Sequence, residues 1–317
     1  MQLAVCSALT LLPALAAAEP QHDQFTVAVA QVEISEELYS SSAEFGAMVR
    51  EAVETAAERD ADLVVFPEYL NVFLATTPYF DIVHRSSSVE GALRRMAGKD
   101  DVPESPQQLF VEQGDRVRAI MDRIYGELAR REQLHILAGS YFAAELPDGA
   151  VAREEVRLTN RSVLYGPDGE VIHEQDKVYL TDFERDLIGL DAGDLTAVGP
   201  AMVEGLEIGI TICRDLFFPV WERVHRQRDL WVDLRAEGTQ WEQGREDFTR
   251  VLPQRIVASD SGGGVTAALT GTYLDLFWEG KSAVITREEG RPEFAAVAES
   301  ASDAEVLVVT LQFDREE

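Results

Sequence analysis

Beyond residue 24, short β-type apolar runs alternate with stretches whose apolar residues recur at helical spacing. That alternation restricts the chain to an α/β architecture with helices layered on a mixed sheet. Residues 25–32 form the first β-type run, and Phe45, Met48, Val49, Ala52, Val53 and Ala56 then mark one helix face. A strand at 62–68 is halted by Pro67, and residues 76–115 read as a long irregular excursion rich in Ser, Gly and Pro. A second helix carries Val117, Ile120, Met121, Ile124 and Leu128, and 135–142 is again a strand. Gly166-Pro167-Asp168-Gly169 joins strands at 161–165 and 171–175 as a hairpin. Further on, strands are expected at 206–212, 230–234, 263–272, 283–286 paired with 294–297, and 305–313. Helices are expected at 217–227 and at 242–258, the latter interrupted by Pro253. No internal repeat or linker divides the chain, so residues 25–317 are expected to form one domain.

Charge narrows the partners. With 28 basic and 57 acidic residues the net charge is −29, which repels nucleic-acid phosphates and anionic bilayers, so neither is expected as a partner. Only Lys99, Lys177 and Lys281 are lysines; every other cation is Arg. An acidic, Lys-poor surface fits a protein adapted to high salt, a reading that unfolding on dilution of salt would test. Residues 1–24 read as an exported leader with its linker: an apolar, Ala-rich run closing on Ala16-Ala17-Ala18 before a polar stretch. It lacks a basic start, and Pro13 interrupts it. Removal of the leader would take Cys6 with it and leave Cys213 as the single thiol.

Three reactive groups occupy comparable places. Glu68, Lys177 and Cys213 each follow an expected strand, and groups at strand ends of an α/β sheet can converge on one crevice. A carboxylate can take a thiol proton, and an ammonium can stabilise the oxyanion formed on attack. A chain that uses Arg almost everywhere has kept Lys at 177, where the shape and proton chemistry of the two cations differ. Each residue alone has a plainer explanation: a core thiol, a turn carboxylate, a chance lysine.

Phe66-Pro67-Glu68, the segment from Asp176-Lys177 to Glu184, and Gly209-Ile210-Thr211-Ile212-Cys213-Arg214-Asp215 resemble, in order, the signature blocks of the nitrilase superfamily of carbon–nitrogen hydrolases. Supporting blocks at 160–169 and 277–285 follow the same order. The resemblance implies a four-layer α-β-β-α sandwich with mixed sheets that pairs into homodimers or higher homo-oligomers. It implies Cys213 as nucleophile, Glu68 as general base and Lys177 as oxyanion stabiliser. Glu184 would be the supporting glutamate, and the Arg214 backbone N–H a second oxyanion donor. The reaction it implies cleaves a small amide through a thioester, with no cofactor and no metal. A nitrile substrate, or a catalytically silent relative that binds a small molecule, are the alternatives. Arg214, Asp182, Val220 and the segment 234–241 depart from the family's usual residues, which leaves the substrate open. The Arg214 side chain is expected to pair with Asp215 or another acid in preference to a substrate anion.

Other chemistries find less support. The five histidines, at 22, 84, 135, 173 and 225, have no partnered spacing for a Cys–His pair or a zinc site. Ser261-Gly262-Gly263-Gly264 precedes a strand instead of opening a helix, so it is no phosphate loop. Ser140 lacks a nucleophile-elbow pattern.

Overall fold

A computed structural model describes residues 24–96, 103, 105–145 and 156–313. The expected leader, Gln24 excepted, lies outside the described residues. The first half contributes strands β1 (Gln24–Ile34), β2 (Leu63–Val65), β3 (His135–Glu145), β4 (Arg157–Tyr165) and β5 (Val171–Asp176). The second contributes β6 (Ala201–Val203), β7 (Leu206–Ile212), β8 (Leu230–Arg235), β9 (Gly263–Tyr273), β10 (Leu276–Trp278), β11 (Ala283–Glu288) and β12 (Arg291–Val297). A last strand, β13 (Glu305–Gln312), returns to pair antiparallel with β1.

β1, β2 and β3 are mutually parallel, and β4 and β5 add as antiparallel hairpin partners, so β5 points the same way as β2. β7, β8 and β9 are also parallel, and β9 pairs in parallel with β1 from Val32 opposite Leu269 to Ile34 opposite Gly271. That short joint lets the two half-sheets fold over one another. It also puts the C-terminal ends of β2, β5 and β7 at one edge of the molecule.

Period-2 alternation builds the layers. In β1, Val27 and Val29 turn inward to meet Ile210, Ile212, Val232, Leu234 and Val265 of the other half-sheet. Ala28 and Ala30 turn outward to the helices α1 (Ser42–Ala57) and α4 (Pro106–Glu132). In β8, Trp231 faces the opposite way from Val232 and Leu234 and packs with Trp221, Leu252 and Ile256. Trp221 lies on α5 (Val220–Val224), and Leu252 and Ile256 on α6 (Trp241–Ser259). The order is therefore helix, sheet, sheet, helix. Each fully buried large apolar side chain contributes about 1.5–3 kcal/mol relative to exposure.

Helix ends follow local chemistry. Ser41 caps α1 by accepting the Glu44 N–H at 3.1 Å, and Phe45, Val49, Ala52, Val53 and Ala56 bury the face expected from their spacing. Ser105 caps α4 through the Gln108 N–H at 3.2 Å, with Pro106 in the first turn, where its missing N–H costs nothing.

That proline corrects one expectation. The stretch 76–115 is not an irregular excursion: its described residues hold the end of a 3-10 run (Val72–Tyr79), α2 (Phe80–Val83), α3 (Val89–Met96) and the start of α4. Ser and Pro, read as breakers, instead begin helices. Two smaller differences occur later. α6 continues through Pro253, and the helix expected at 217–227 is shortened to α5, which starts after Pro219 and follows a 3-10 turn (Cys213–Phe217). Among the described residues no helix is long and apolar enough to cross a bilayer.

One glycine seats the turn after β2. The β3–β4 register shifts between Leu137 and Ser140, and Gly139 within that bulge has φ 71°. A Cβ there would lie 2.0 Å from the Pro67 carbonyl oxygen. Ser140 Oγ accepts the Tyr69 N–H at 2.9 Å, and Asn71 Nδ2 donates to the Ala138 carbonyl at 2.6 Å. The bulge thus cradles the segment carrying Glu68. Gly139→Ala is expected to destabilise the fold by about 1–3 kcal/mol from backbone strain alone, read as a lower denaturant midpoint. An unchanged midpoint would show that the cradle tolerates a side chain.

Candidate active site

Glu68, Lys177 and Cys213 meet at the shared edge of the two half-sheets. Glu68 follows β2, Lys177 follows β5, and Cys213 follows β7 directly. Tyr69, next to Glu68, and Cys213 hold φ of 61° and 48°, a region that non-glycine residues enter only when their surroundings enforce it. Lys177 is fixed on both sides of its backbone: its N–H donates to the Asn160 carbonyl and its carbonyl accepts the Gly193 N–H, each at 2.8 Å. Gln175, two residues earlier, donates across the sandwich to the Ile210 carbonyl at 2.7 Å.

The site is dry. Glu68, Lys177, Glu184 and Asn160 have no exposed surface, and Cys213 is 9% exposed. One ammonium stands between two carboxylates: Lys177 Nζ is 2.8 Å from Glu68 Oε1 and 2.9 Å from Glu184 Oε2. Asn160 Nδ2 also bridges them, 2.9 Å from an oxygen of each. The Tyr69 ring lies beneath the ammonium, its centroid 5.6 Å from Nζ.

The two glutamates differ in what else they receive. Glu184 Oε2 accepts the Thr181 N–H at 2.8 Å and its hydroxyl at 3.0 Å. Glu68 Oε2 is buried with no hydrogen-bond partner among the described residues. Burial pushes both carboxyls upward. At Glu184 the Lys177 charge and the Thr181 and Asn160 donors outweigh it and hold the group below its ordinary value. At Glu68 burial prevails over Lys177, and repulsion from Glu184 adds to it, pushing the group up to about 8. Burial would by itself lower the Lys177 ammonium, but Glu68, Cys213 and Glu184 raise it above its usual range. Burial and then Glu68 push the Cys213 thiol well above its ordinary value, Lys177 pulling the other way. The arrangement keeps a permanent cation, a permanent anion and a carboxyl that exchanges protons near neutrality beside a neutral thiol.

A model of the carbon–nitrogen hydrolase family matches residues 26–314. The chain belongs to the carbon–nitrogen hydrolase family. No curated protein matches it in sequence. In structure it is similar to the NitFhit protein of C. elegans, with 18% identity and TM-score 0.64, covering 91% of this chain and 61% of that one. It is also similar to an amidase from Nesterenkonia sp. AN1 in complex with acrylamide, with 18% identity, TM-score 0.60 and 92% of each chain covered. A carbon–nitrogen hydrolase from Helicobacter pylori G27 has 17% identity and TM-score 0.63, covering 92% of this chain and 90% of that one. The α-β-β-α arrangement of this carbon–nitrogen hydrolase is the fold those proteins share.

Several site residues of this family member carry weak sequence signals. Asn160 sits in an ordinary strand, and nothing local marks it as a bridge to Glu68. Asp233 and Arg235 are charged positions near the end of an otherwise apolar strand, which is a usable signal. Both are buried, Arg235 Nη1 lies 3.7 Å from Asp233 Oδ2, and burial pushes Asp233 up to about 7. Since Ile212 pairs with Leu234, Arg235 comes beside Cys213, whose Sγ is 3.8 Å from the Ala236 carbonyl. The expected pairing of Arg214 with Asp215 does not form. Arg214 is exposed and Asp215 is fully buried, its carboxylate taken by backbone N–H groups of Ile212, Val178 and Tyr179.

Proposed function

We propose that this protein hydrolyses a non-peptide carbon–nitrogen bond of a small amide through a thioester on Cys213. The observation that carries the reading is the unpartnered Oε2 of Glu68 in a dry cluster with one ammonium and one thiol. Ionised Glu68 takes the thiol proton as Sγ bonds to the amide carbonyl carbon. The resulting oxyanion is met by the Lys177 ammonium and the Arg214 N–H. Collapse expels ammonia or an amine, which leaves with the proton held by Glu68. Water then gives a proton to Glu68 and attacks the thioester carbon; Sγ leaves, recovers the proton as a thiol, and the acid is released. Glu184, kept anionic by four donors, holds Lys177 in its charged form. The buried position of all three reacting groups admits a small or slender acyl group. In one mutant of the structurally similar Nesterenkonia amidase the acetamide moiety of fluoroacetamide is covalently added at the active-site cysteine, which supports a cysteine nucleophile here.

The test is an ammonia-release assay in high salt over short aliphatic amides, carbamoyl amines, ω-amido acids and nitriles, with intact-mass detection of acylated protein. Turnover of an amide, with the acyl mass on the peptide containing Cys213, is the expected result. Acylation elsewhere would overturn the mechanism, and no turnover of any member would favour the silent small-molecule-binding reading.

A further inference from the structure

β5 and β7 belong to different half-sheets and share no ladder, yet they deliver Lys177 and Cys213 to one point. The backbone hydrogen bonds of the sheets therefore do not set the spacing of these two residues. Two side chains do cross the gap. Gln175 on β5 reaches the Ile210 carbonyl on β7, as described above. Asp215, two residues after Cys213, reaches back in the opposite direction. Its Oδ1 accepts the Tyr179 N–H at 2.8 Å and the Val178 N–H at 3.2 Å, and its Oδ2 accepts the Ile212 N–H at 3.4 Å. The carboxylate is fully buried and appears in no ion pair among the described residues. Its acceptors are satisfied by three main-chain donors from the two segments that flank the reacting groups.

We infer that Asp215 is a positioning residue, a clamp that holds the Lys177 turn against the Cys213 turn and so sets the distance from ammonium to thiol. The inference rests on Cys213 being the nucleophile. Burial pushes Asp215 up to about 7 against the pull of the Tyr179 N–H, Lys177 and the Val178 and Ile212 N–H groups. At the pH of the test it is therefore mainly an anionic acceptor, which can take several N–H donors at once. An amide oxygen offers fewer acceptor sites, and its NH2 group would face donors it cannot satisfy. Val178 and Tyr179 lie outside every strand, and their amides find their acceptor in this carboxylate.

The test uses iodoacetamide, which needs no knowledge of the substrate. In the wild type, Cys213 alkylation followed by intact mass against pH should show an inflection that burial and Glu68 push upward and the Lys177 ammonium pulls downward. In Asp215→Asn the ammonium is no longer held against the thiol. Alkylation at pH 7.5 is expected to slow by about 10- to 100-fold, with its inflection moved to higher pH. A merely structural role would lower the thermal midpoint and leave that inflection in place. A wild-type protein not alkylated at Cys213 would overturn the nucleophile reading beneath the inference. A wild type alkylated at Cys213 and a variant with the same profile would overturn the clamp alone. If Asp215→Asn does not fold, hydrogen exchange on the wild type decides. The Val178 and Tyr179 amides should be protected like strand amides, and exchange at loop rates would overturn the inference.

Discussion

Cys213→Ala is expected to lower amide hydrolysis by about 10⁴-fold or more while the protein stays folded. The loss is large because the thiol is the nucleophile of the proposed covalent route, and the neighbouring Thr181 and Ser140 hydroxyls are each committed to a hydrogen bond with the site's scaffold. The fold should survive because the sulfur makes one weak contact, 3.8 Å to the Ala236 carbonyl. Its removal trims a small side chain at the edge of the core, an effect on the order of 1 kcal/mol. Cys213→Ser should be nearly as inactive, since an alcohol gives up its proton far less readily than a thiol to a carboxylate of Glu68's basicity. Ammonia release and thermal unfolding of both variants are the measurements. Retained turnover in Cys213→Ala would end the thioester mechanism, whichever substrate is used.

Lys177→Met carries the largest expected cost in stability. It strips the cation that stands between two fully buried carboxylates, and breaking a buried pair in this way costs about 3–5 kcal/mol. The cost should depend on pH in a stated direction. In the wild type, Glu68, raised to about 8, costs stability as pH climbs from the unfolded carboxylate value toward 8. Glu184, held below its ordinary value by Lys177, contributes stability that is present above the unfolded pKa and lost on acidification. In the variant both glutamates fold most easily as neutral acids. Their folded values then lie above the unfolded value of about 4.3, and stability falls as pH rises through that window. The gap between wild type and variant should therefore widen from pH 5 to pH 8. Denaturant melts at the two pH values measure it, and a gap that is small and independent of pH would contradict the charge assignment. Lys177→Arg is not expected to rescue either stability or activity. The guanidinium is larger and forked, and the site leaves Lys177 no exposed surface into which it could extend.

Much of this molecule is legible in its residues. The runs at β1, β3, β7, β8, β9 and β13 stand out because strand alternation and apolar clustering are properties of a few neighbouring residues. The helix α1 stands out for the same reason. Errors fall where one residue type has two uses. Ser105-Pro106 reads as a breaker and is a helix start; Pro253 reads as an interruption and is passed through by α6. Asp215 reads as one of the acids available to pair with Arg214 and is instead a buried acceptor for three backbone amides. In each case the residue's chemistry is plain from the sequence, but its environment is not.

The sequence by itself determined the order of the main strands and of the helices α1, α4 and α6, the family, and the presence of a thiol, a carboxylate and a lysine each just beyond a strand. Those follow from local pattern and from motif order. Only the tertiary structure supplied a physical reason for the two glutamates to differ, one pushed up to about 8 and the other held below its ordinary value. Glu68 and Glu184 are the same residue type and share the Lys177 and Asn160 donors that the fold brings from afar. The difference lies in the N–H and hydroxyl that Thr181 gives to Glu184 alone. Asn160 reaches Glu68 across 92 positions and Lys177 reaches it across 109, whereas Glu184 gains Thr181 from three positions away. Burial then amplifies that unequal supply of donors, because in a water-free site a carboxylate's charge is set by its hydrogen-bond partners.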